Sequence, residues 1–379
     1  YNRKNEILAE KAEKAGTLGN WLGVLPNAGS EDISKAWDKI LINQFHDVLP
    51  GSSIPYQYEV TYNNQELAKN LLNNVQNDGL QAIAYKADTN VDGTPVLVFN
   101  PLSWERSDMV ETTVRFTDAV PEQIAVYDGD TLVPSTVTAR DEEKKTATIR
   151  FQANALPSVG FKIFTVKAGD GTVETNLSVE ENDSLFVMEN EFLKVEIDKE
   201  TGNIAQVYNK KDNNRPVFAD GYQGNEIHIY KDTGGSSYPA WDLVMDEMNA
   251  DPVAILNDTP EAIEIIENSP DRVVVRVSRS WSNSSMYQDI TLYPDSDRVD
   301  VKMHVNWNED QRMIKISFPF AAESDHATYE IAYGALERPT TRDNSIDNAK
   351  FEVSGHKWAD VTDDSGEFGA SILNDSKYG

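Results

Sequence analysis

The hydrophobic period changes near Asp92-Gly93, and no other feature constrains this chain as strongly. Upstream, apolar residues recur every three or four positions; downstream, they alternate. Between residues 5 and 22, Leu8, Ala12, Ala15, Leu18 and Leu22 share one helical stripe. A break follows at Leu25-Pro26-Asn27-Ala28-Gly29-Ser30. Ser30 then reads as an N-cap, with Glu31 and Asp32 placed well against the helix dipole. The second helix is predicted to turn Ile33, Trp37, Ile40, Leu41, Phe45 and Val48 toward a core and to stop at Pro50-Gly51. A third, over 57–75, uses Val60, Leu67, Leu71 and Val75. Three helices on short links predict a small bundle.

From Pro95 onward, short alternating runs are separated by Gly, Asn, Asp and Pro. Phe192-Leu193-Lys194-Val195-Glu196-Ile197 and Ile204-Ala205-Gln206-Val207-Tyr208 flank a turn at Asp198-Lys199-Glu200-Thr201-Gly202. Val299, Val301, Met303, Val305 and Trp307 alternate with polar residues, the pattern of a half-buried strand. There is no βαβ rhythm. The fold class is therefore α+β: a small three-helix bundle followed by a large, mainly antiparallel β-sandwich. The expected divisions are a helical bundle at 1–90, a small β domain at 91–168 and a large sandwich at 169–379. A composition dip at Ala168-Gly169-Asp170-Gly171-Thr172 separates the last two.

Composition removes several classes of function. The 379 residues carry 63 acidic and 34 basic side chains, a formal charge of −29. Such a surface repels phosphate backbones and anionic lipids, so neither nucleic acid nor membrane is an expected partner. No cysteine is present, which excludes disulfides, thiolate nucleophiles and cysteine zinc sites. Any metal must be held by His, Asp, Glu or water, and the histidines are His46, His228, His304, His326 and His356. No apolar run reaches the roughly 18 residues of a membrane span. The chain begins at Tyr1 with a charged, helix-like segment, and the expectation is that it is a piece of something longer.

The densest cluster of chemically useful residues is Asn43-Gln44-Phe45-His46-Asp47-Val48-Leu49-Pro50-Gly51-Ser52-Ser53. A neutral imidazole at His46 can ligate a metal, with Asp47 beside it to bind substrate hydroxyls. The other reading is a polar histidine at a helix end, favoured by the dipole. Spacing alone does not choose, because one histidine makes no metal site.

The segment from Trp37-Asp38 through Ser52-Ser53 resembles the region that follows the catalytic barrel in glycoside hydrolase family 38 α-mannosidases. Further matches fall in the family's order: Val98-Phe99-Asn100-Pro101-Leu102-Ser103-Trp104, Glu189-Asn190-Glu191-Phe192-Leu193-Lys194-Val195 and Pro239-Ala240-Trp241-Asp242. Glu337-Arg338-Pro339-Thr340, the run from Phe351 to Asp360 and Leu373-Asn374-Asp375-Ser376-Lys377-Tyr378-Gly379 complete the likeness. It covers essentially the whole chain and favours the cytosolic and bacterial branch, implying a cytoplasmic protein.

The resemblance implies a galactose-mutarotase-like supersandwich as the β region. It implies a retaining exo-α-mannosidase that acts on mannose-containing oligosaccharides, binds one divalent metal, zinc, and forms homo-oligomers. Retaining glycosidases pair a nucleophilic carboxylate with an acid/base carboxyl group. In the family both lie in the barrel, so the catalytic residues are expected upstream and none in this chain. His46 inherits the role of a metal ligand and Asp47 that of a sugar-hydroxyl contact. Asp242, in a loop of the β region, is a second substrate-contact candidate, the alternative being a turn cap beside a packed Trp241. His356 reads as structural, and His228, His304 and His326 are assigned nothing. The competing class is a non-catalytic carbohydrate-binding sandwich, in which Trp104, Trp241 or Trp281 would line an exposed platform, or an oligomerisation module. With no barrel to cover them, faces of the bundle and sandwich are expected to expose an apolar patch. By itself this polypeptide is expected neither to hydrolyse mannosides nor to hold metal tightly. Chelator-sensitive turnover of an aryl α-mannoside by the isolated chain would contradict that expectation.

Overall fold

The computed structural model describes residues 1–235 and 241–375, which form two compact units, Tyr1–Glu174 and Thr175–Gly379. The first opens with α1 (Asn2–Trp21), α2 (Ser30–Ile42) and α3 (Pro55–Lys86). The buried positions of α3 are Thr61, Gln65, Ala68, Leu72, Val75, Gly79 and Ala82, alternating steps of four and three, with Ile83 beside them. Those of α1 include Asn5, Ala9, Ala12, Gly16 and Gly19, the same alternation. Such a spacing keeps one seam facing a neighbouring helix. Tyr1 lies against Tyr62, Asn5 bonds Gln65, and Gly19 faces Ala82, so α1 and α3 run parallel. α2 returns between them, burying Ile33, Ala36 and Ile40.

Two expectations about these helices are corrected. α3 extends well beyond 57–75, and Val60 and Leu67 are exposed, not inward. Its inner face mixes Leu72, Val75 and Ile83 with Thr61, Gln65, Ala68, Gly79 and Ala82, and at Gly79 the α1 backbone comes too close for any side chain. α2 ends at Ile42, not at Pro50-Gly51, and Leu41 and Phe45 are exposed. The side chain of Asn43 donates to the carbonyl of Lys39 at 2.7 Å, taking the acceptor that a continuing helix would use. The N-cap is Gly29, in the left-handed region at φ 75°, and Ser30 is the first helical residue.

The remainder of this unit is a small β-sandwich. A four-stranded sheet, in order Thr94–Asn100, Gly160–Ala168, Ile124–Asp128 and Thr131–Val133, faces a three-stranded one of Arg106–Arg115, Thr146–Leu156 and Ser135–Asp141. Alternation buries Val126, Phe164 and Val166 from one against Val114, Ile149 and Phe151 from the other. The Phe151 and Phe164 rings meet at 4.9 Å.

The second unit repeats that logic on a larger scale. A five-stranded sheet built around Leu193–Asp198 packs on a four-stranded one of Ala262–Ser269, Arg272–Trp281, Ser284–Leu292 and Asp300–Asn306. Phe186, Met188, Val195 and Ile197 meet Val275, Val277, Ile290 and Leu292 in the largest core. A three-stranded sheet centred on Glu226–Lys231 adds Ile227 and Ile229 against Met286. A final sheet, in order Gly334–Pro339, His326–Ile331, Trp358–Thr362 and Gly369–Leu373, has no fully buried strand residue. Every strand pairing described is antiparallel. The turn after Asp198 is closed by the Asp198 carboxylate, which accepts from the Glu200 amide at 2.7 Å, and Gly202 takes φ 67° there. Nearly buried Arg279 then clamps this turn by donating to the carbonyl oxygen of Thr201.

Two measurements test this packing. Ala at a helical Gly ordinarily gains about 1 kcal/mol. A Cβ at Gly79, however, would overlap the backbone carbonyl of Ala15, so Gly79→Ala is expected to destabilise by about 1–3 kcal/mol. A urea midpoint that stays level or rises contradicts the close seam. In the second unit, Glu247 accepts from the Thr233 hydroxyl and amide and pairs with Lys231 at 2.9 Å. Those bonds, with the Thr233 hydroxyl foremost, hold its carboxyl down to about 2. A depressed carboxylate stabilises the folded form fully above its unfolded value near 4.5, and the contribution fades as pH falls toward about 2. Acid unfolding of Glu247→Gln should therefore differ from wild type above pH 4.5 and converge with it near pH 2.

Candidate functional site

The inward face of α2 passes through Ile33, Ala36 and Ile40, and one further helical step lands on Asn43 and Gln44. Polar residues at that point end the helix and turn the chain outward. Val48 and Leu49 donate their amides to the Phe45 carbonyl at 2.9 and 3.1 Å, and the Ser52 amide closes on the Asp47 carbonyl at 3.0 Å. The result is a compact turn that carries His46 and Asp47 at its surface. His46 Nε2 lies 3.4 Å from Asp47 Oδ2, with side chains 67% and 36% exposed. The Phe45 ring sits 4.3 Å from the imidazole.

Both parallel helices reach this turn with their N-terminal ends. From α1, Glu6 accepts from Gln44 Nε2 at 2.6 Å and is itself held by Arg3 at 2.6–2.8 Å. From α3, the Tyr58 hydroxyl donates to the Asp47 carbonyl and accepts from the Ser53 amide, each at 3.1 Å. The Ser52 hydroxyl donates to Asp47 Oδ1 at 3.2 Å. Asn43 is buried, yet its Oδ1 has no hydrogen-bond partner. Glu6 and Tyr58 escaped the reading of the sequence because their bonds to the turn span 38 and 11 residues and carry no local pattern; Arg3 is an i,i+3 partner of Glu6 on the same helix. The register of α2 was the one available signal: Gln44 lies four residues beyond buried Ile40.

Around the turn, Leu41, Ile42, Phe45, Leu49, Ile54 and Tyr56 leave large apolar side chains exposed. Soluble monomers seldom concentrate so many in one short stretch.

The His46–Asp47 pair does not amount to a metal centre. Zinc takes three or four protein ligands. Among the described residues, no three His, Asp or Glu side chains come together in a way that could hold an ion. An imidazole and one carboxylate supply an incomplete donor set.

The other candidates are placed as follows. Asp242 and Trp241 are exposed in the second unit, just ahead of a short helix, Met245–Met248. Pro239 and Ala240 of that motif lie outside the described residues, as do Ser376, Lys377, Tyr378 and Gly379 of the terminal one. Trp281 stacks on Trp307 at 6.0 Å beside a core cluster, while Trp104 belongs to the first unit. His356 donates its amide to the Glu330 carbonyl at 3.0 Å and accepts from Asn374 through its own carbonyl. His304 stacks on Tyr287 at 5.0 Å. His228 meets Glu226 at 2.6 Å, an acidic neighbour two positions away on the same strand.

No described helix is long and apolar enough to cross a membrane. Residues 1–83 match the model of the alpha mannosidase middle domain, and residues 188–379 match that of the glycosyl hydrolases family 38 C-terminal domain. Alpha-mannosidase G of Dictyostelium discoideum is 31% identical over 392 residues, covering 92% of this chain and 33% of that protein. Alpha-mannosidase 2C1 of Homo sapiens is 27% identical over 347 residues, covering 90% of this chain and 30% of that protein. The chain thus spans about a third of the length of these relatives. A crystal structure of a glycosyl hydrolase family 38 protein from Enterococcus faecalis matches with a TM-score of 0.76 at 16% identity, over 95% of this chain and 48% of that one. An alpha-mannosidase structure from the same species gives 0.73 at 14%, over 96% and 47%. At those identities the likeness speaks for the fold, and the sequence matches carry the rest: the chain belongs to glycosyl hydrolase family 38, its middle-domain match lying on the three helices that open the first unit and its C-terminal-domain match in the second.

Proposed function

We propose that this chain is the middle and C-terminal part of a metal-dependent, retaining exo-α-mannosidase that removes terminal α-mannose from oligosaccharides in the cytoplasm. The supporting observation is the surface turn after α2, inside the middle-domain match. There an imidazole and a carboxylate face outward together on a backbone held from both sides. In this reading His46 contributes one ligand to a zinc ion whose other ligands come from a catalytic region beyond the described residues. Asp47 accepts hydrogen bonds from hydroxyls of the terminal mannose, and Asp242 is a second candidate for that contact. The apolar residues around the turn are covered by the catalytic region, which removes them from water and excludes water from the sugar. Copies of the protein associate into a homo-oligomer. The nucleophile and the acid/base carboxyl group are placed in the catalytic region, in keeping with the two-carboxylate chemistry of retaining glycosidases.

A carbohydrate-binding module without catalysis would use an aromatic platform in place of His46; Trp281 packs against Trp307 beside a core, whereas Trp104 and Trp241 are each 59% exposed. The test is His46→Ala in the full-length protein, with metal content and aryl α-mannoside turnover measured together. Both should fall by more than the roughly 10- to 100-fold typical of residues that merely support a metal site. Unchanged metal content and turnover would remove the reading.

A further inference from the structure

Resting on that reading of His46 and Asp47, we infer that Glu6 and Tyr58 are positioning residues, which fix the turn between α2 and α3 in the shape that presents the pair. The turn has no helix or strand of its own to hold it, since α2 ends at Ile42 and α3 begins at Pro55. Left alone, an exposed loop of this length samples many backbone shapes and loses conformational entropy whenever it is fixed. Here it is tied at two places. Gln44, two residues before the imidazole, is bound by Glu6, and the backbone of Asp47 is bound by Tyr58. The two ties come from different helices and grip opposite sides of His46.

The chemistry of each tie suits the task. Glu6 is half-buried and oriented by Arg3, whose guanidinium donates to both carboxylate oxygens, so the acceptor facing Gln44 cannot swing away. Arg3 is within one turn of Glu6 on α1 and shares its rigidity. Tyr58 acts through one hydroxyl that donates to the Asp47 carbonyl while accepting the Ser53 amide, which staples the two ends of the Asp47–Ser53 stretch. Neither residue belongs to the apolar core of the bundle, which is formed by Ala9, Ala12, Ile40, Leu72 and their neighbours. Bundle stability and turn geometry are therefore separable, and this separation makes the inference testable.

In the full-length protein, Glu6→Ala, Gln44→Met and Tyr58→Phe are compared with wild type and with His46→Ala. Metal retention against a chelator, kcat and KM for an aryl α-mannoside, and the thermal midpoint are measured for each. Glu6→Ala and Tyr58→Phe should each lower metal retention and kcat about 10- to 100-fold, the range found when partners of metal ligands are removed, with little movement of the midpoint. Glu6→Gln keeps an acceptor for Gln44 and should recover part of the loss. Glu6→Ala combined with Gln44→Met should be no worse than either alone, because both break one bond. If Glu6→Ala prevents folding, Gln44→Met cuts the same bond from the turn side and serves in its place. Wild-type metal retention and kcat in these variants, with both lost in His46→Ala, would overturn the positioning role and leave the reading of His46 standing. Retention of both in His46→Ala would overturn the reading, and this inference with it.

Discussion

The close parallel seam between α1 and α3 is the constraint from which the candidate site follows. Gly16, Gly19 and Gly79, with alanines between them, let the two backbones approach at van der Waals distance. Two parallel helices in one bundle need a third element to bring the chain back, and α2 is that return. Its antiparallel course delivers its C-terminal end to the N-terminal ends of both neighbours. Gln44 consequently arrives beside Glu6, and Asp47 beside Tyr58, although the first pair is 38 residues apart.

The β regions rest on a different economy. Each sandwich closes by burying one face of alternating strands, and the two cores are dominated by branched aliphatic residues with a few phenylalanines. Polar groups also enter, some within strands, as with Gln288, which bonds Asn225 at 2.8 Å, and others where a turn is closed or a loop held. Arg279 on the Asp198–Gly202 turn and Glu247 on Thr233 are examples, the first nearly buried and the second close to solvent. The sheet formed by residues 326–373 differs, since none of its strand residues is fully buried. Its Trp358 and Tyr329 are half-buried, with Arg338 lying over the Tyr329 ring.

The change of period at Asp92-Gly93 told helix from strand correctly, and so did the antiparallel expectation, because alternation and three-four spacing are properties of neighbouring residues. The family resemblance was carried by short motifs that survive intact, and the matches at 1–83 and 188–379 agree with it. Helix bounds and inner faces are where the expectations fail: α2 ends at Ile42, α3 runs from Pro55 to Lys86, and the N-cap is Gly29. Apolar spacing points Leu41, Phe45, Val60 and Leu67 inward, yet all four are exposed. The true seam of α3 includes Thr61, Gln65 and Gly79, residues that hydrophobicity does not flag. At Gly79 the neighbouring backbone leaves no room for a side chain, and at Gln65 the amide of Asn5 satisfies a polar group inside the seam.

By itself the amino-acid order determined the fold class, the switch from helices to sheets and the motif in which His46 and Asp47 lie, since each is written in adjacent residues. Only the tertiary structure decided that the helix stops before His46, that the pair faces outward, and that Glu6 and Tyr58 grip the turn carrying it. The helix stop rests on the local bond from Asn43 to the Lys39 carbonyl, whereas the grip on the turn rests on hydrogen bonds between distant segments, whose partners are chosen by how three helices pack and not by any spacing along the chain.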